Sequence, residues 1–181
     1  RDLSVSDLAS TSLRHAVAET PIQLISAISG IANGGLMHQP RVVHQIIDGD
    51  EIFEADQNVQ RAVSPETARL VTQMMVRAVE DGATLAALEG YSIAGKTGTA
   101  QIPGPTGYQE GPNTTLTTFV GFLPADDPVV SILVKLDRPD GYWSSRVVAP
   151  VFRQLVERLV ILMDIPTDEI RLNLQAQGGD A

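Results

Sequence analysis

The chain has 181 residues, a hydrophobic fraction of 43%, 4% aromatic residues and a formal net charge of −9 at pH 7. These values are typical of one globular domain, or part of a larger one, and exclude disordered and fibrous classes. The negative charge without a basic cluster argues against nucleic-acid binding, and the absence of cysteine excludes disulfides and zinc-thiolate sites.

The first clear helix is predicted to begin at Thr20. Thr20 can cap the helix, Pro21 suits the first helical position, and Gln23 has the spacing of a capping box. Apolar residues then recur at helical spacing as far as Ala32. Asn33-Gly34-Gly35 is predicted to end the helix, because glycine readily adopts the backbone conformation found at helix ends.

A β-hairpin and a second helix are predicted next. Residues 41–63 are rich in β-branched residues, and Asp48-Gly49-Asp50 offers the hairpin turn. The helix is predicted to start at Ser64 and to end at Asp81-Gly82. Its apolar stripe contains Leu70 and the pair Met74-Met75, which we interpret as core residues.

The second half of the chain is predicted to be mostly strand. Residues 91–94 form a short strand candidate that leads into a lysine motif, and residues 102–114 are a Gly/Pro-rich loop. Residues 117–123 and 129–136 read as two strands of a hairpin, and a helix over about 150–163 follows. We expect a single α+β domain in which helices flank an antiparallel sheet, with residues 167–181 as a flexible tail.

Most candidate sites are weak. The three histidines form no H-E-x-x-H pair, and the acidic pairs at 48/50 and 126/127 lie in turn sequences, where solvated turn residues are the better interpretation. The pattern Gly104-x-x-Gly107 lacks the helix that would present its amides to a phosphate. No metal or cofactor is predicted.

The segment Lys96-Thr97-Gly98-Thr99 combines a cation, two hydroxyl groups and a glycine that allows a ligand to approach the backbone. This chemistry suits the recognition of an anion. An edge strand with an exposed lysine explains the same residues equally well, because edge strands often carry lysine. The tripeptide alone leaves both interpretations open.

Three further segments accompany the lysine motif in a continuous order that extends over about residues 7–166. Together, the four segments resemble those of class B penicillin-binding proteins, with the lysine motif in the position of their third active-site motif. They are Thr20-Pro21-Ile22-Gln23-Leu24 with Ile31-Ala32-Asn33-Gly34-Gly35, Ala94-Gly95-Lys96-Thr97-Gly98-Thr99-Ala100-Gln101, Phe119-Val120-Gly121-Phe122-Leu123-Pro124-Ala125, and Ala149-Pro150-Val151-Phe152.

The resemblance implies a serine-type D,D-transpeptidase that cross-links peptidoglycan stem peptides and is acylated by β-lactam antibiotics. It implies that Lys96 supports a serine of the second motif and favours an anionic ligand. Thr97 and Thr99 would hydrogen-bond the substrate carboxylate, with Gly98 between them in the substrate-binding strand. The N–H of Thr99 would be one donor of the oxyanion hole, and the strand edge would pair with an extended peptide.

Two family motifs, S-x-x-K with the nucleophile and S-x-N, do not occur in the 181 residues. We therefore expect residues 1–166 to be the C-terminal portion of a transpeptidase domain whose upstream half is a partner, and this chain alone to be inactive. A non-catalytic binding or scaffold module is the alternative. Residues 12–16 also depart from the family pattern S-x-G-x-G, which puts the backbone there in doubt.

The family further implies a role in cell-wall synthesis, in cell division or cell shape. The parent protein is expected outside the cytoplasm, anchored in the cell membrane. The longest apolar stretch of this chain, Leu155 to Ile165, is interrupted by charges and is too short to span a bilayer, so an anchor would lie outside this sequence.

Overall fold

A computed structural model of the chain describes residues 19–54, 58–105, 107–111 and 113–178. Its fold is α+β, with an antiparallel sheet flanked by helices, as predicted. In chain order the elements are α1 Pro21–Ala32, β1 Leu36–His38, β2 Gln45–Asp48, β3 Glu51–Glu54, β4 Val59–Arg61, α2 Pro65–Gly82, a 3-10 turn Thr84–Ala86, β5 Ala94–Gln101, β6 Pro103–Gly104, β7 Gly107–Tyr108, β8 Thr115–Leu123, β9 Val130–Asp137, α3 Ser144–Val147, α4 Ala149–Leu162 and α5 Asp168–Gly178.

The start of α1 has the predicted capping box. The hydroxyl oxygen of Thr20 accepts a hydrogen bond from the backbone N–H of Gln23 at 3.3 Å, and the side-chain oxygen of Gln23 accepts one from the N–H of Thr20 at 2.9 Å. These two bonds satisfy donors that a helix start leaves unpaired. At the other end Gly35 has φ +90°, and a Cβ there would lie 2.2 Å from the carbonyl oxygen of Val63, so only glycine fits.

Helix α2 also begins as predicted, with the Ser64 hydroxyl accepting a hydrogen bond from the N–H of Thr67 at 3.1 Å. Its apolar stripe was predicted only in part. Met75 is buried, but Met74 is 67% exposed and Leu70 is 42% exposed. Neighbouring positions on a helix point about 100° apart, so Met74 and Met75 cannot both face the core.

The central sheet has the strand order β5-β8-β9, and all its pairs are antiparallel. Successive side chains of β8 point to opposite faces of the sheet. Phe119 and Leu123 enter a core with Phe152 of α4, whereas Phe122 enters a second core with Met75 of α2. Helices therefore pack against both faces of this sheet.

The smaller strands form short pairs outside this sheet. The predicted hairpin is present as β2 and β3, which pair around the turn at residues 49 and 50, and its apolar side chains are exposed. The predicted loop at 102–114 contains the two-residue pair β6–β7. The strand predicted at 91–94 begins only at Ala94, and Tyr91 makes an isolated bridge with Leu88.

The C-terminal segment differs from the prediction. Instead of an irregular tail, the chain forms α5 over Asp168–Gly178. Arg171, whose side chain is 10% exposed, donates hydrogen bonds to both carboxylate oxygens of Asp126 at 3.0 and 2.6 Å, and one to Asp168 at 2.9 Å. The remaining oxygen of Asp168 accepts from the N–H of Ser92 at 2.6 Å. The folded unit therefore continues past residue 166.

Within the described part of the chain, no helix combines the length and the apolarity needed to cross a bilayer. The departure from the family pattern at residues 12–16 lies outside the described residues.

Candidate active site

The lysine motif occupies the middle of β5, which is an edge strand of the central sheet among the described residues. The register pairs Lys96 with Val120 and Gly98 with Thr118. One long side of β5 is therefore hydrogen-bonded to β8, and the other long side is available to an added strand.

The contacts of Gly98 show how the peptide groups of this strand are directed. The hydroxyl of Thr118 donates to the Gly98 carbonyl at 3.3 Å, so this carbonyl faces β8. Consecutive residues of a strand direct their N–H and C=O groups to opposite sides. The N–H and C=O groups of Thr97 and Thr99 therefore face the outer edge.

The ammonium group of Lys96 lies at the same edge. It donates to the Thr97 carbonyl at 3.0 Å, and the Thr97 hydroxyl is 3.5 Å away. Lys96 and Thr97 are both half-buried. A cation, a hydroxyl and outward-facing N–H groups therefore lie together along one strand edge, which is the chemistry needed to bind a peptide carboxylate and carbonyl.

The hydroxyl of Thr99 is engaged by Ser144 of α3. The Thr99 and Ser144 hydroxyl oxygens are 2.7 Å apart, and the Ser144 N–H donates to the Thr99 hydroxyl at 3.3 Å. The Ser144 hydroxyl also donates to the Gly98 carbonyl. These contacts engage the Thr99 side chain and favour a role for Thr99 through its N–H. The roles of Lys96, Thr97, Gly98 and Thr99 stay predictions.

An open cleft of about 650 Å³ runs beside the motif. Lys96, Thr97 and Thr99 line one wall, and Thr20 and Leu24 at the start of α1 line another. Lys135 also lines this cleft, so both lysines of a chain with net charge −9 meet here. Glu19 also lines the cleft. The two lysines make the cleft the natural place for an anionic ligand.

A larger groove of about 930 Å³ lies elsewhere, between α2, the β8–β9 turn and α5. Its lining mixes Arg69 and Arg77 with Glu80, Asp126 and Asp168, so charges of both signs are spread along it. The cation, hydroxyl and strand edge converge at the smaller cleft, which is therefore the candidate ligand site. No group of three potential metal ligands occurs among the residues that the structure describes.

The turn acids were predicted to be solvated, and Asp126 is 48% exposed but also pairs with Arg171. Its hydrogen bonds with Arg171 hold the pKa of the Asp126 carboxyl below its ordinary value, and the same contact raises the pKa of Arg171. Asp126 therefore serves the packing of α5, away from the lysine motif.

Two glycines let the buried ring of Phe119 pack directly behind the motif. Gly95 and Gly121 face each other across β5 and β8. A Cβ on Gly95 would lie 2.6 Å from the Phe119 ring, and one on Gly121 would lie 3.3 Å from it. The ring also contacts Phe152, with the two centroids 4.4 Å apart. The strand that carries the motif therefore rests on a rigid aromatic support.

Sequence reasoning missed Ser144 and Lys135 as parts of the site. Ser144 is the first residue of α3, where a serine is ordinarily interpreted as part of the helix start, and nothing local indicates a bond to a strand 45 residues away. Lys135 lies in a strand pattern, and the register that brings it opposite Thr118 is a tertiary feature.

Comparison with known families gives a match to the penicillin binding protein transpeptidase domain over residues 3–157. Stage V sporulation protein D of Bacillus subtilis is 33% identical over 150 residues, which are 79% of this chain and 23% of that protein. A probable peptidoglycan D,D-transpeptidase of Pseudomonas aeruginosa, PbpC, is 32% identical over 168 residues, 90% of this chain and 28% of that protein. The chain thus spans about a quarter of the length of these relatives.

Solved structures of penicillin-binding proteins are similar to this chain. Penicillin binding protein 3 of Mycobacterium tuberculosis, complexed with ampicillin, superposes with a TM-score of 0.74 at 28% identity, covering 86% of this chain and 38% of that one. The transpeptidase domain of penicillin-binding protein 3 from Burkholderia pseudomallei gives a TM-score of 0.72 at 25% identity, covering 89% of this chain and 48% of that one.

Proposed function

Because this chain belongs to the penicillin-binding protein transpeptidase domain family, we propose that it forms the substrate-binding part of a peptidoglycan D,D-transpeptidase of class B. The observation that carries the proposal is the outer edge of β5, where Lys96, Thr97 and the N–H of Thr99 converge on one cleft. S-x-x-K and S-x-N do not occur in the 181 residues, and we take the nucleophile to lie in an upstream half of the domain.

The edge of β5 suits an extended peptide. A stem peptide would add as a further strand, with its C-terminal carboxylate towards Lys96 and the Thr97 hydroxyl. The Thr99 N–H points away from β8 and would meet the carbonyl oxygen of the bond to be broken. β-Lactams would occupy the same place, because they offer a carboxylate and a reactive carbonyl.

The reaction that the family resemblance implies is a serine acyl transfer. The serine oxygen of the upstream half adds to the peptide carbonyl carbon, and its proton passes through the neighbouring lysine of that motif to the departing amine. The amine of a second stem peptide then attacks the acyl-serine ester and releases the serine, which regains its proton. The chain described here contributes charge, orientation and the Thr99 N–H to both steps. The parent protein would work outside the cytoplasm, anchored in the membrane.

Labelling with a fluorescent penicillin tests the proposal. We expect no covalent label on this chain alone, and one label per molecule, at a serine upstream of residue 1, when the chain is joined to its upstream half. Stoichiometric labelling of a serine within the 181 residues would overturn the assignment. An unlabelled parent protein would favour the alternative, a non-catalytic binding or scaffold module.

Two lysine variants make the test specific to the strand edge. In the parent protein, Lys96→Met should slow acylation by about 100-fold, since one charge positioned at the reacting groups is lost. Lys135→Met is the comparison variant and should slow acylation less than Lys96→Met, because Lys135 lines the same cleft from β9, two strands and roughly 10 Å away from β5. Equal losses in both variants would contradict the role given to Lys96.

A further inference from the structure

Ser144 is buried beside the lysine motif but does not cap its own helix. It is 1% exposed. The N-cap of α3 is Trp143, and no side chain makes a capping bond there. The hydroxyl of Ser144 is instead within hydrogen-bond distance of the Thr99 hydroxyl, and it donates to the Gly98 carbonyl. Because both hydrogen bonds of this buried hydroxyl are made to β5, its role concerns the position of that strand.

The protons of this cluster can be assigned in one consistent direction. Each hydroxyl has a single proton to donate. The Ser144 N–H donates to the Thr99 oxygen, the Thr99 hydroxyl donates to the Ser144 oxygen, and the Ser144 hydroxyl donates to the Gly98 carbonyl. Every donor in the cluster thus has an acceptor, and the chain of bonds ends on the backbone of β5.

The carbonyl of Gly98 and the N–H of Thr99 belong to the same peptide group. That group is planar and trans, so its C=O and N–H point in opposite directions. Holding the Gly98 oxygen towards β8 therefore holds the Thr99 N–H towards the cleft. Ser144 holds this oxygen from one face of the sheet, and Thr118 donates to it at 3.3 Å from β8.

We propose that Ser144 is a positioning residue for the oxyanion hole: it fixes the Gly98–Thr99 peptide group so that the Thr99 N–H points at the carbonyl oxygen under attack. The inference rests on the proposed function. It assigns to α3 a part in the reaction that the lysine motif alone does not show. Because small displacements of an oxyanion donor weaken the transition state more than the bound ground state, Ser144 should affect the acylation step more than binding.

The test uses the parent protein with its nucleophile. We expect Ser144→Ala to lower the first-order acylation rate with benzylpenicillin by about tenfold and to leave the dissociation constant of the non-covalent complex within about twofold. The carbonyl stretching frequency of the acyl-enzyme, measured by infrared difference spectroscopy, should rise because the hydrogen bond to this oxygen is weakened. Ser145→Ala is the matched control: Ser145 lies next in α3, is half-buried, and has no hydrogen bond to β5 in the described structure.

A second variant probes the same hydrogen-bond cluster independently, in case Ser144→Ala fails to fold. Thr99→Val removes the hydroxyl but keeps the N–H, so it breaks the same chain of bonds. If Ser144 acts through this cluster, the double variant should acylate no more than about twofold slower than the slower single variant, because coupled residues are not additive. An unchanged acylation rate and carbonyl frequency in Ser144→Ala would refute the inference while leaving the proposed function intact. A wild-type protein that is never acylated would refute the proposed function and this role together.

Discussion

Replacing Gly95 by alanine tests the packing behind the lysine motif. A Cβ at this position would lie 2.6 and 2.8 Å from two carbons of the Phe119 ring and 3.1 Å from a methyl group of Val79. Phe119 has no exposed surface, and its ring is already in contact with Phe152. The ring cannot move away without displacing other core residues, so the strand itself has to shift.

The cost follows from this geometry. Adding a methyl group to a packed core costs about 1–3 kcal/mol, and a rigid ring at 2.6 Å places Gly95→Ala at the upper end, about 3 kcal/mol. With a urea m-value of roughly 2 kcal/mol/M, the unfolding midpoint should fall by about 1.5 M. Urea unfolding followed by circular dichroism at 222 nm measures this shift.

Gly82→Ala is the matched control for Gly95→Ala. Gly82 ends α2, and a Cβ there would meet no atom within 4 Å. Alanine also favours the helix over glycine by up to about 1 kcal/mol, so the midpoint should stay or rise. A Gly95→Ala midpoint within about 0.3 M of the wild-type value would refute the argument, because it would show that the Phe119 ring can yield at little cost.

Three further outcomes are expected. Arg171→Met should lower the free energy of unfolding by about 2 kcal/mol, which is less than for a fully buried pair because Asp126 is 48% exposed. It should also speed hydrogen exchange at the Ser92 amide, and an unchanged exchange rate would contradict the anchoring of α5. Acid should loosen α5, because Arg171 lowers the pKa of Asp126. The stabilisation from this pair is complete above the ordinary pKa of 3.8 and is lost as the pH falls through the folded-state pKa. Hydrogen exchange in α5 measures this pH dependence, and Arg171→Met should abolish it. Thr20→Ala should cost about 1 kcal/mol in urea unfolding by removing one half of the capping box, whereas an unaltered midpoint would mean that the cap is dispensable.

The features predicted correctly from the sequence depend on local chemistry. The capping box of Thr20 and Gln23 is complete within four residues, and the turn at residues 49 and 50 lies directly between the strands that it joins. The hairpin of β8 and β9 has a short connection, so its pairing is nearly determined by its own sequence. The strand predicted at residues 91–94 ends before the lysine motif and overlaps β5 only at Ala94, so the strand position of the motif came from the family resemblance.

The features that were missed depend on contacts between distant residues. Arg171 anchors α5 through Asp126, which lies 45 positions earlier, and a polar helix without that partner is indistinguishable from a frayed tail. Ser144 reaches Thr99 over the same separation. Met74 and Met75 share one chemistry, and only the packing of α2 against the sheet decides which of them is buried.

The anchoring of α5 has a practical consequence for anyone who produces this domain. The family match ends at residue 157, and a recombinant version trimmed near that point, or at residue 166, would lack Asp168 and Arg171. Asp126 would then lose its cation, and the N–H of Ser92 would lose its acceptor four residues before Lys96. Expression boundaries drawn from the family match would thus remove contacts just ahead of β5, and a loss of stability in such a protein would be caused by the missing residues.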